Sequence, residues 1–398
     1  IVVIVIESIR VIITAVIRKK EGANIIGTGV LIFISFVVLF IATFLFLTAG
    51  TSEKFSLNLE GTTGTVLLLY IVLALLSIPV SMSVYLAKRF SSVNIDLENQ
   101  RNTLEIQVKE RTKELEEQKK LLVRKNKDIT DSINYAKRIQ DTLFPSEEIL
   151  KQSLNEYFIL YMPKDIVSGD FYWFKKTGNE LYIAAADCTG HGVPGAFMTM
   201  LGISYLNEIV QSDTQLSTAE ILDKLRQKII HELKQREEMG SNKDGMDISL
   251  IKINIQTFEV SWSGANNPLY IVTDKPDNYS HISEENNELK EDKVLIEIKG
   301  DKQPIGYYPK MSPFNTHVFK PAPGDVFYLF SDGYPDQIGG PKGRKMKYRR
   351  FKEVLLTNAG KNLTTQKEIL AEFFNDWKKE EEQIDDVLVV GIKIPLNN

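Results

Sequence analysis

Apolar and polar positions divide the chain into three parts. Residues 1–87 are almost continuously apolar, residues 88–143 are dominated by charged side chains, and the remainder mixes both kinds as a globular domain does. In that remainder, short apolar runs end at Gly or Asp, which is typical of strands bounded by turns. The pattern therefore predicts a membrane region, a long polar helix and a folded domain.

Two uncharged runs, Asn24–Ala49 and Gly64–Ala87, are long enough to cross a bilayer as helices. Ile1–Ile17 is a weaker third candidate, because Glu7 and Arg10 are costly in lipid unless they face protein. Buried helices of a soluble protein are the alternative for each run. We predict two or three transmembrane helices.

Basic residues indicate the orientation of these spans. They follow the first run at 18–20 and the last at 88–89, whereas the loop 50–63 has one Lys and two Glu. Because Lys and Arg are concentrated on the cytoplasmic side of membrane proteins, we expect that loop to lie outside and everything after residue 88 to lie in the cytoplasm. The protein would then be a multi-pass protein of the inner or plasma membrane. By hydropathy, residues 1–90 resemble the last helices of a larger bacterial sensor module, the seven-transmembrane diverse intracellular signalling type.

Residues 91–145 are predicted to be a signalling coiled-coil linker that ends at Pro145. One heptad seam is apolar and comprises Val108, Leu115, Leu122, Ile129, Ala136 and Leu143. The companion seam is mostly polar and comprises Leu104, Arg111, Gln118, Lys125, Ser132 and Ile139. A parallel coiled coil needs both seams apolar, so the pattern favours a marginal homodimer that can change register. A solvated spacer helix is the alternative.

Composition excludes several classes of protein. The chain has 398 residues, a formal net charge of −4 and one cysteine, Cys188. A lone cysteine excludes an intrachain disulfide framework and a thiolate metal cluster. The mild charge gives no reason to expect nucleic acid as a partner.

Four acidic motifs stand at strand ends in the last 240 residues. They are Gly169-Asp170 before an aromatic strand, Asp187 after an apolar strand, Asp332-Gly333 after another, and Asp385-Asp386 before the last. One Asp-Gly turn is weak evidence, because such turns are common in hairpins. Taken together, the four motifs offer only oxygen ligands, which favour Mg²⁺ or Mn²⁺. Two such cations can activate a water molecule and bind a phosphoryl group between them.

The order of these motifs resembles the SpoIIE-like branch of the PPM (type 2C) serine/threonine phosphatases over Asn155–Ile394. The matching segments are Ser168–Tyr172, Ala186–Gly192, Gly264–Pro268, Pro304–Gly306, Phe330–Gly333 and Asp385-Asp386. Ile133–Pro145 also resembles the helix ahead of such domains, although a plain amphipathic helix explains it equally well. The resemblance implies an α+β fold over residues 146–398, a sandwich of two antiparallel sheets flanked by helices.

The resemblance also implies roles for individual residues. Asp187 matches the aspartate that bridges two Mn²⁺ or Mg²⁺ ions, and the Cys188 carbonyl matches the neighbouring ligand. Asp332 matches a ligand of the second metal. Asp385 is expected to be a further ligand, with Asp386 as its substitute, and Asp170 to bind through water or serve a third metal. We therefore expect Asp187, Asp332 and Asp385 to carry catalysis.

The function expected from this resemblance is hydrolysis of a phosphoserine or phosphothreonine protein by metal-activated water, in bacterial signal transduction. An anti-sigma-factor antagonist is the expected kind of substrate. One alternative is a catalytically inactive, phosphatase-like scaffold. Another is a sensor kinase, suggested by His231-Glu232, which superficially resembles a phosphoacceptor box.

Other motifs leave alternatives open. A cysteine phosphatase with Cys188 as its nucleophile would need an Arg six positions later to bind the phosphate, and Pro194 occupies that position. His191 is either a general acid or a turn residue, and Asp247 either lines the site or belongs to a hairpin turn. The segment 342–350 carries six basic residues, which form a solvated loop or help to recruit an acidic phosphoprotein.

Overall fold

A computed structural model of the chain describes residues 2–49, 61–236, 243–282, 288–290 and 292–395. The chain forms two compact units that meet in sequence between Val123 and Arg124. Most of the loop expected outside the membrane, residues 50–60, lies outside the described residues. The division into domains 1–90, 91–145 and 146–398 stays a prediction.

The first unit is helical. Its helices are α1 (Val2–Ile17), α2 (Ala23–Ala49) and the first part of α3 (Thr62–Asp141). Among the described residues, two helices are long and apolar enough to cross a membrane, Ala23–Phe46 and the apolar start of Gly64–Asp141. Length and composition alone carry this finding, and core helices of soluble proteins can satisfy the same test. Little of either apolar stretch is buried, 6% and 11% respectively.

Small residues let α2 approach α3 closely. A Cβ on Gly29 would collide with the side chain of Ser81, so a larger residue at this position would separate the two helices. α1 has 16 residues, fewer than a typical span requires. It is not one of the two membrane candidates among the described residues, and the third span stays a prediction.

α3 continues without a break from the apolar segment into the charged one. It ends at Asp141, four residues before the predicted end at Pro145, and Thr142 closes a final turn on the Ile139 carbonyl at 3.1 Å. The seam residues Val108 and Leu115 are exposed in the single chain. Pairing of two such helices stays a prediction.

The second unit contains two antiparallel sheets. Its strands are β1 (Glu156–Met162), β2 (Phe171–Thr177), β3 (Glu180–Cys188), β4 (Met246–Asn254), β5 (Val260–Ala265), β6 (Leu269–Thr273), β7 (Glu288–Lys290), β8 (Lys293–Ile298), β9 (His317–Phe319), β10 (Val326–Phe330), β11 (Ile338–Gly339), β12 (Arg344–Lys345) and β13 (Val387–Lys393). One sheet has the order β1-β13-β10-β6-β8-β7 and the other β2-β3-β4-β5-β9. β11 and β12 form a separate hairpin.

Helices cover the outer faces of both sheets. They are α4 (Glu147–Ser153), α5 (Gly192–Ser212), α6 (Thr218–Glu232), α7 (Gly333–Asp336), α8 (Lys347–Asn358) and α9 (Leu363–Lys378), with a short 3-10 helix at Pro276–Tyr279. α5 and α6 pack on the five-stranded sheet, and α8 and α9 on the six-stranded one. A capping box between Ser217 and Glu220 starts α6.

Strands with both faces buried produce this four-layer arrangement. In β3, Leu181 and Ile183 point into the core between the sheets, whereas Tyr182 and Ala184 pack beneath α5 and α6. β13 alternates in the same way between the central core and the α8–α9 layer. Such strands are apolar at consecutive positions, since both faces are covered. The predicted α+β sandwich of two antiparallel sheets flanked by helices is confirmed.

Candidate active site

Two neighbouring strands of the five-stranded sheet present carboxylates at one end of the sandwich. Asp187, next to last in β3, lies directly opposite Asp247 near the start of β4. Their side chains point to the same face because paired antiparallel residues share a face. The Asn266 amide donates to Asp247 Oδ1 at 2.8 Å. The interpretation of Asp247 as a hairpin-turn residue is therefore wrong, since it belongs to the strand.

The six-stranded sheet supplies the opposite wall. Asp332 follows β10 and caps the short α7, while Asp385 and Asp386 precede β13, the strand that pairs with β10. A Cβ on Gly333 would collide with the Asp386 carbonyl, so glycine is required for the two segments to approach. Asp332 and the Asp385-Asp386 pair are thereby brought together.

The segment that carries Asp170 is clamped through its backbone. Asp386 Oδ1 accepts from the Lys164 N–H at 2.8 Å, and Oδ2 accepts from the Gly169 N–H at 2.7 Å. Asp386 is only 2% exposed. Its carboxylate therefore holds the β1–β2 loop against the start of β13, whereas the Asp385 carboxylate accepts only the neighbouring Asp386 N–H within the described contacts.

Two more side chains hold the same loop from other directions. Gln140, in the last turn of α3, donates to the Ser168 carbonyl at 2.7 Å and accepts the Ser168 N–H at 3.2 Å. Thr199 of α5 donates to the Gly169 carbonyl at 2.8 Å. A Cβ on Gly169 would lie 2.5 Å from the Gly190 carbonyl oxygen, so this loop fits only with glycine there. Asp170 is thus positioned by the end of α3, by α5 and by the start of β13.

Burial and mutual repulsion raise the pKa values of the central carboxyls. The pKa of Asp170 is well above its usual range because the group is buried and faces Asp386, Asp385 and Asp332. The pKa of Asp187 is raised by burial and then by Asp170 and Asp332. Burial is also the main cause for Asp332, and it raises the pKa of Asp247 to about 6. Positive charge placed among these groups would return them to the ionised form.

The arrangement fits divalent cations. Asp170 Oδ2 is buried and has no hydrogen-bond partner among the described residues, and the Asp332 carboxyl lies near that of Asp187. Two buried carboxyls close together favour a shared proton or a cation between them. Among the described residues, however, no group of three or more His, Cys, Asp or Glu side chains is arranged to hold a metal ion.

The Cys188 thiol is unsuited to nucleophilic attack. It is buried, and burial raises its pKa well above the usual thiol value. Its backbone N–H donates to the Gly169 carbonyl at 3.3 Å, which links β3 to the loop of Asp170. His191 lies at the start of α5 with Nδ1 2.6 Å from Asp165 Oδ2, both side chains about half exposed. His231 lies in the last turn of α6, 84% exposed.

Three residues of the site could not be singled out from sequence alone. Gln140 falls in a helix whose pattern is explained by amphipathicity, and Thr199 in the middle of α5. Ser331 contacts the Asp170 carboxyl and accepts the Leu388 N–H at 3.0 Å. The available signals are the resemblance of Ile133–Pro145 to the helix that precedes SpoIIE-like domains, for Gln140, and the matching segment Phe330–Gly333, for Ser331.

Comparison with known proteins agrees with the fold and the motif order. The profile of the family described as Stage II sporulation protein E (SpoIIE) matches residues 177–395. The SiaA-PP2C domain of Pseudomonas aeruginosa is similar at 30% identity and a TM-score of 0.57, over 68% of this chain and 98% of that one. A search of curated proteins found no match.

A second solved structure is similar to part of the chain at lower identity. It contains the PP2C phosphatase domain and a regulatory fragment of SpoIIE from Bacillus subtilis. The identity is 17% and the TM-score 0.46, over 61% of this chain and 62% of that one.

Proposed function

The chain belongs to the SpoIIE family of PPM-type serine/threonine phosphatase domains, and on this premise we propose that it is an active, metal-dependent phosphoprotein phosphatase. One observation carries the proposal. Carboxylates from both sheets meet at one end of the sandwich, around a buried Asp170 oxygen that has no hydrogen-bond partner in the described part of the chain. Such a cluster of like charges is costly unless cations or protons offset it.

We assign the cation-holding role to Asp187, Asp332 and Asp385, with the Cys188 carbonyl beside them. Two Mn²⁺ or Mg²⁺ ions, when bound, would supply a water activated for attack and would neutralise phosphoryl oxygens. Asp170 would bind through water or hold a third ion. Oxygen donors of this kind suit either metal. Asp386 is the weaker candidate, because both of its oxygens already accept backbone N–H groups.

The remaining residues of the site orient these carboxylates. Asn266 fixes the Asp247 carboxyl next to Asp187, and Ser331 fixes one oxygen of Asp170. Gln140 and Thr199 hold the peptide groups just before Asp170. Buried hydrogen bonds of this type keep a site within the few tenths of an ångström that catalysis requires.

The proposed substrate is a phosphoserine or phosphothreonine protein, of the kind represented by an anti-sigma-factor antagonist. Family membership supports the phosphoester chemistry. Asp165 and His191 stand at the exposed rim of α5, where a macromolecular substrate could reach them.

We propose that the chain is anchored in the inner or plasma membrane by α2 and the start of α3, with the phosphatase domain in the cytoplasm. The long apolar helices support the anchor, and the basic residues at 18–20 and 88–89 support the orientation. A homodimer through the exposed seam of α3 would let the helix state set activity. Gln140 supports that coupling, because it joins the helix end to the loop of Asp170.

The test uses the full chain in detergent micelles and a phosphoserine peptide, with p-nitrophenyl phosphate as a second substrate. We expect hydrolysis with Mn²⁺, none with EDTA, and loss of roughly 10³-fold in Asp332→Asn. Asp376→Asn, at an exposed position of α9, is the matched control and should retain activity.

A folded but inert wild-type chain would instead identify a scaffold. Folding is checked by circular dichroism in the same micelles. Equal hydrolysis by wild type and Asp332→Asn would also defeat the assignment, since the activity would then not depend on the carboxylate cluster.

A further inference from the structure

The basic segment 342–350 is exposed to solvent, apart from Met346, and belongs to the folded domain. β11 and β12 form a hairpin, and α8 begins at Lys347. The Gly340 N–H donates to the Trp377 carbonyl at 2.7 Å, and Trp377 Nε1 donates to the Gln337 carbonyl at 3.0 Å. Met346 is buried. The segment is therefore solvated, as expected, but it is a hairpin and the start of a helix held by α9 instead of a loop.

The six basic side chains of this segment fall into two groups. Lys345 pairs with Asp336 at 2.6 Å, Arg349 pairs with Glu353 at 3.2 Å, and the Arg350 guanidinium lies 4.7 Å from the centre of the Trp377 ring. The other three cations are exposed and have no ion pair with any described acidic side chain. They are Lys342, Arg344 and Lys347, which we name the basic rim.

The segment that carries the basic rim adjoins the candidate active site through Lys345 and Tyr348. Lys345, between two of its members, binds Asp336, whose N–H donates to the Asp332 carbonyl at 2.9 Å. Tyr348, next to Lys347, lies close enough to the carboxylates that its pKa is raised, by burial first and then by Asp332 and Asp336. A groove of about 520 Å³ runs between the rim, α8 and Trp377.

We propose that the basic rim is the docking surface for acidic residues that flank the phosphorylated side chain of the substrate. The proposal rests on the proposed phosphatase function and adds the class of substrate sequence. A carboxylate-rich site repels an acidic peptide, and three unpaired cations next to it supply the opposite field. Arg344 can bind a carboxylate with two parallel hydrogen bonds.

Rigidity makes the basic rim suitable for this role. A flexible basic loop would lose conformational entropy on binding, whereas the hairpin is already held by Trp377 and Gln337. In an extended peptide, acidic side chains two to four positions from the phosphoserine lie roughly 7–14 Å from it. The expected ligand is therefore a phosphoserine segment with Asp or Glu within a few positions.

The test compares two phosphoserine peptides of equal length, one flanked by Asp and Glu and one by Ser and Gln. For the wild-type full chain we expect kcat/KM to be at least roughly 10-fold higher for the acidic peptide, through KM, because charge complementarity acts on encounter and binding. Raising NaCl from about 50 mM to about 500 mM should remove most of that preference.

The variant Lys342→Glu/Arg344→Glu/Lys347→Glu should bring the ratio of the two kcat/KM values to about 1 or below. The matched control is Lys176→Glu/Lys275→Glu/Lys320→Glu. These three exposed lysines stand near the opposite strand ends, far along β2, β6 and β10 from the carboxylates. The control should keep the wild-type preference.

Equilibrium binding of the labelled peptides, read by fluorescence anisotropy, keeps the two proposals separate. If the wild type hydrolyses nothing, the proposed function fails, yet stronger binding of the acidic peptide that depends on the rim would still support the docking surface. The docking proposal is overturned if the wild type shows no preference, or if both triple variants lose it equally. It is also overturned if the rim variant keeps its peptide preference and loses binding to phosphatidylserine vesicles instead.

Discussion

The two sides of the candidate site hold their carboxylates by different means. On the strand side, Asp187 and Asp247 are fixed by the register of two adjacent strands. On the loop side, Asp170 is fixed by side chains from distant parts of the chain, including Gln140 and Asp386. The strand side depends mainly on the sheet, with one added hydrogen bond from Asn266 to Asp247. The loop side can therefore change when α3 or α5 moves, without unfolding of the domain.

The largest expected effect distinguishes the two residues of the strand side. Asp187→Asn should reduce kcat for p-nitrophenyl phosphate by roughly 10³-fold or more, because it removes the carboxylate proposed to bridge both cations. Asp247→Asn should cost only about 10-fold, since Asp247 is proposed to act through its neighbours. Steady-state kinetics in Mn²⁺ measures both. Equal losses would mean that the two paired aspartates share one role.

The adjacent residues Asp385 and Asp386 should separate activity from stability. Asp385→Asn should lose activity by roughly 10²-fold while Tm in EDTA stays level or rises, because one like charge leaves the cluster. Asp386→Asn should destabilise the fold by about 1–3 kcal/mol, since an amide nitrogen would face one of two backbone N–H groups. Thermal unfolding and steady-state kinetics of both variants measure these two effects. If Asp386→Asn is as stable as the wild type, the Asp386 carboxylate does not clamp the β1–β2 loop.

Gln140 tests whether the loop side transmits the state of α3. Gln140→Ala leaves the Ser168 peptide group unsatisfied, so we expect kcat to fall about 10-fold and the Mn²⁺ concentration for half-maximal activity to rise. Gln107→Ala, at an exposed position of the same helix outside both heptad seams, is the control. A lower Tm with an unchanged Mn²⁺ requirement would show that Gln140 contributes to packing only.

The smallest expected effect is a pH dependence of stability without metal. The pKa of Asp247 is raised to about 6, and burial raises those of Asp170 and Asp187 well above the usual Asp value. A raised pKa stabilises the fold below the usual Asp value of about 3.9, and that contribution is lost as pH rises through the folded pKa. In EDTA, Tm should therefore be a few degrees lower at about pH 7.5 than at about pH 5.5.

Addition of Mn²⁺ should remove that difference, because cations offset the charge of the ionised carboxylates. Asp247→Asn should flatten the metal-free profile near pH 6. A Tm that rises between the two pH values in EDTA would contradict the electrostatic description of both sides of the site.

Much of the fold could be predicted from the sequence. Continuous apolar runs followed or preceded by Asp predict β3, β10 and β13, and the family resemblance implies the two-sheet sandwich. Asp187 and Asp332 were recognised because each stands at a strand end with a glycine close by. Their convergence follows from antiparallel pairing, which brings such ends to one edge.

The supports of the site could not be predicted in the same way. Asp247 follows Lys243-Asp244-Gly245, which is typical of a turn, and only pairing with β3 shows that the strand has already begun. Gln140 makes its hydrogen bonds to a residue 28 positions away, which helical periodicity cannot reveal. The hairpin in the basic segment could not be predicted, because Trp377, which anchors it through the Gly340 N–H, lies on a different helix.

The most direct test of the central claim is the number of Mn²⁺ ions that the full chain binds, measured by isothermal titration calorimetry in micelles. We predict two tight sites in the wild type, a loss of both in Asp187→Asn, and two sites in the exposed control Asp376→Asn. A folded wild type that binds no Mn²⁺, or an Asp187→Asn protein that binds the same two ions, would contradict the claim that carboxylates of both sheets hold the catalytic metals.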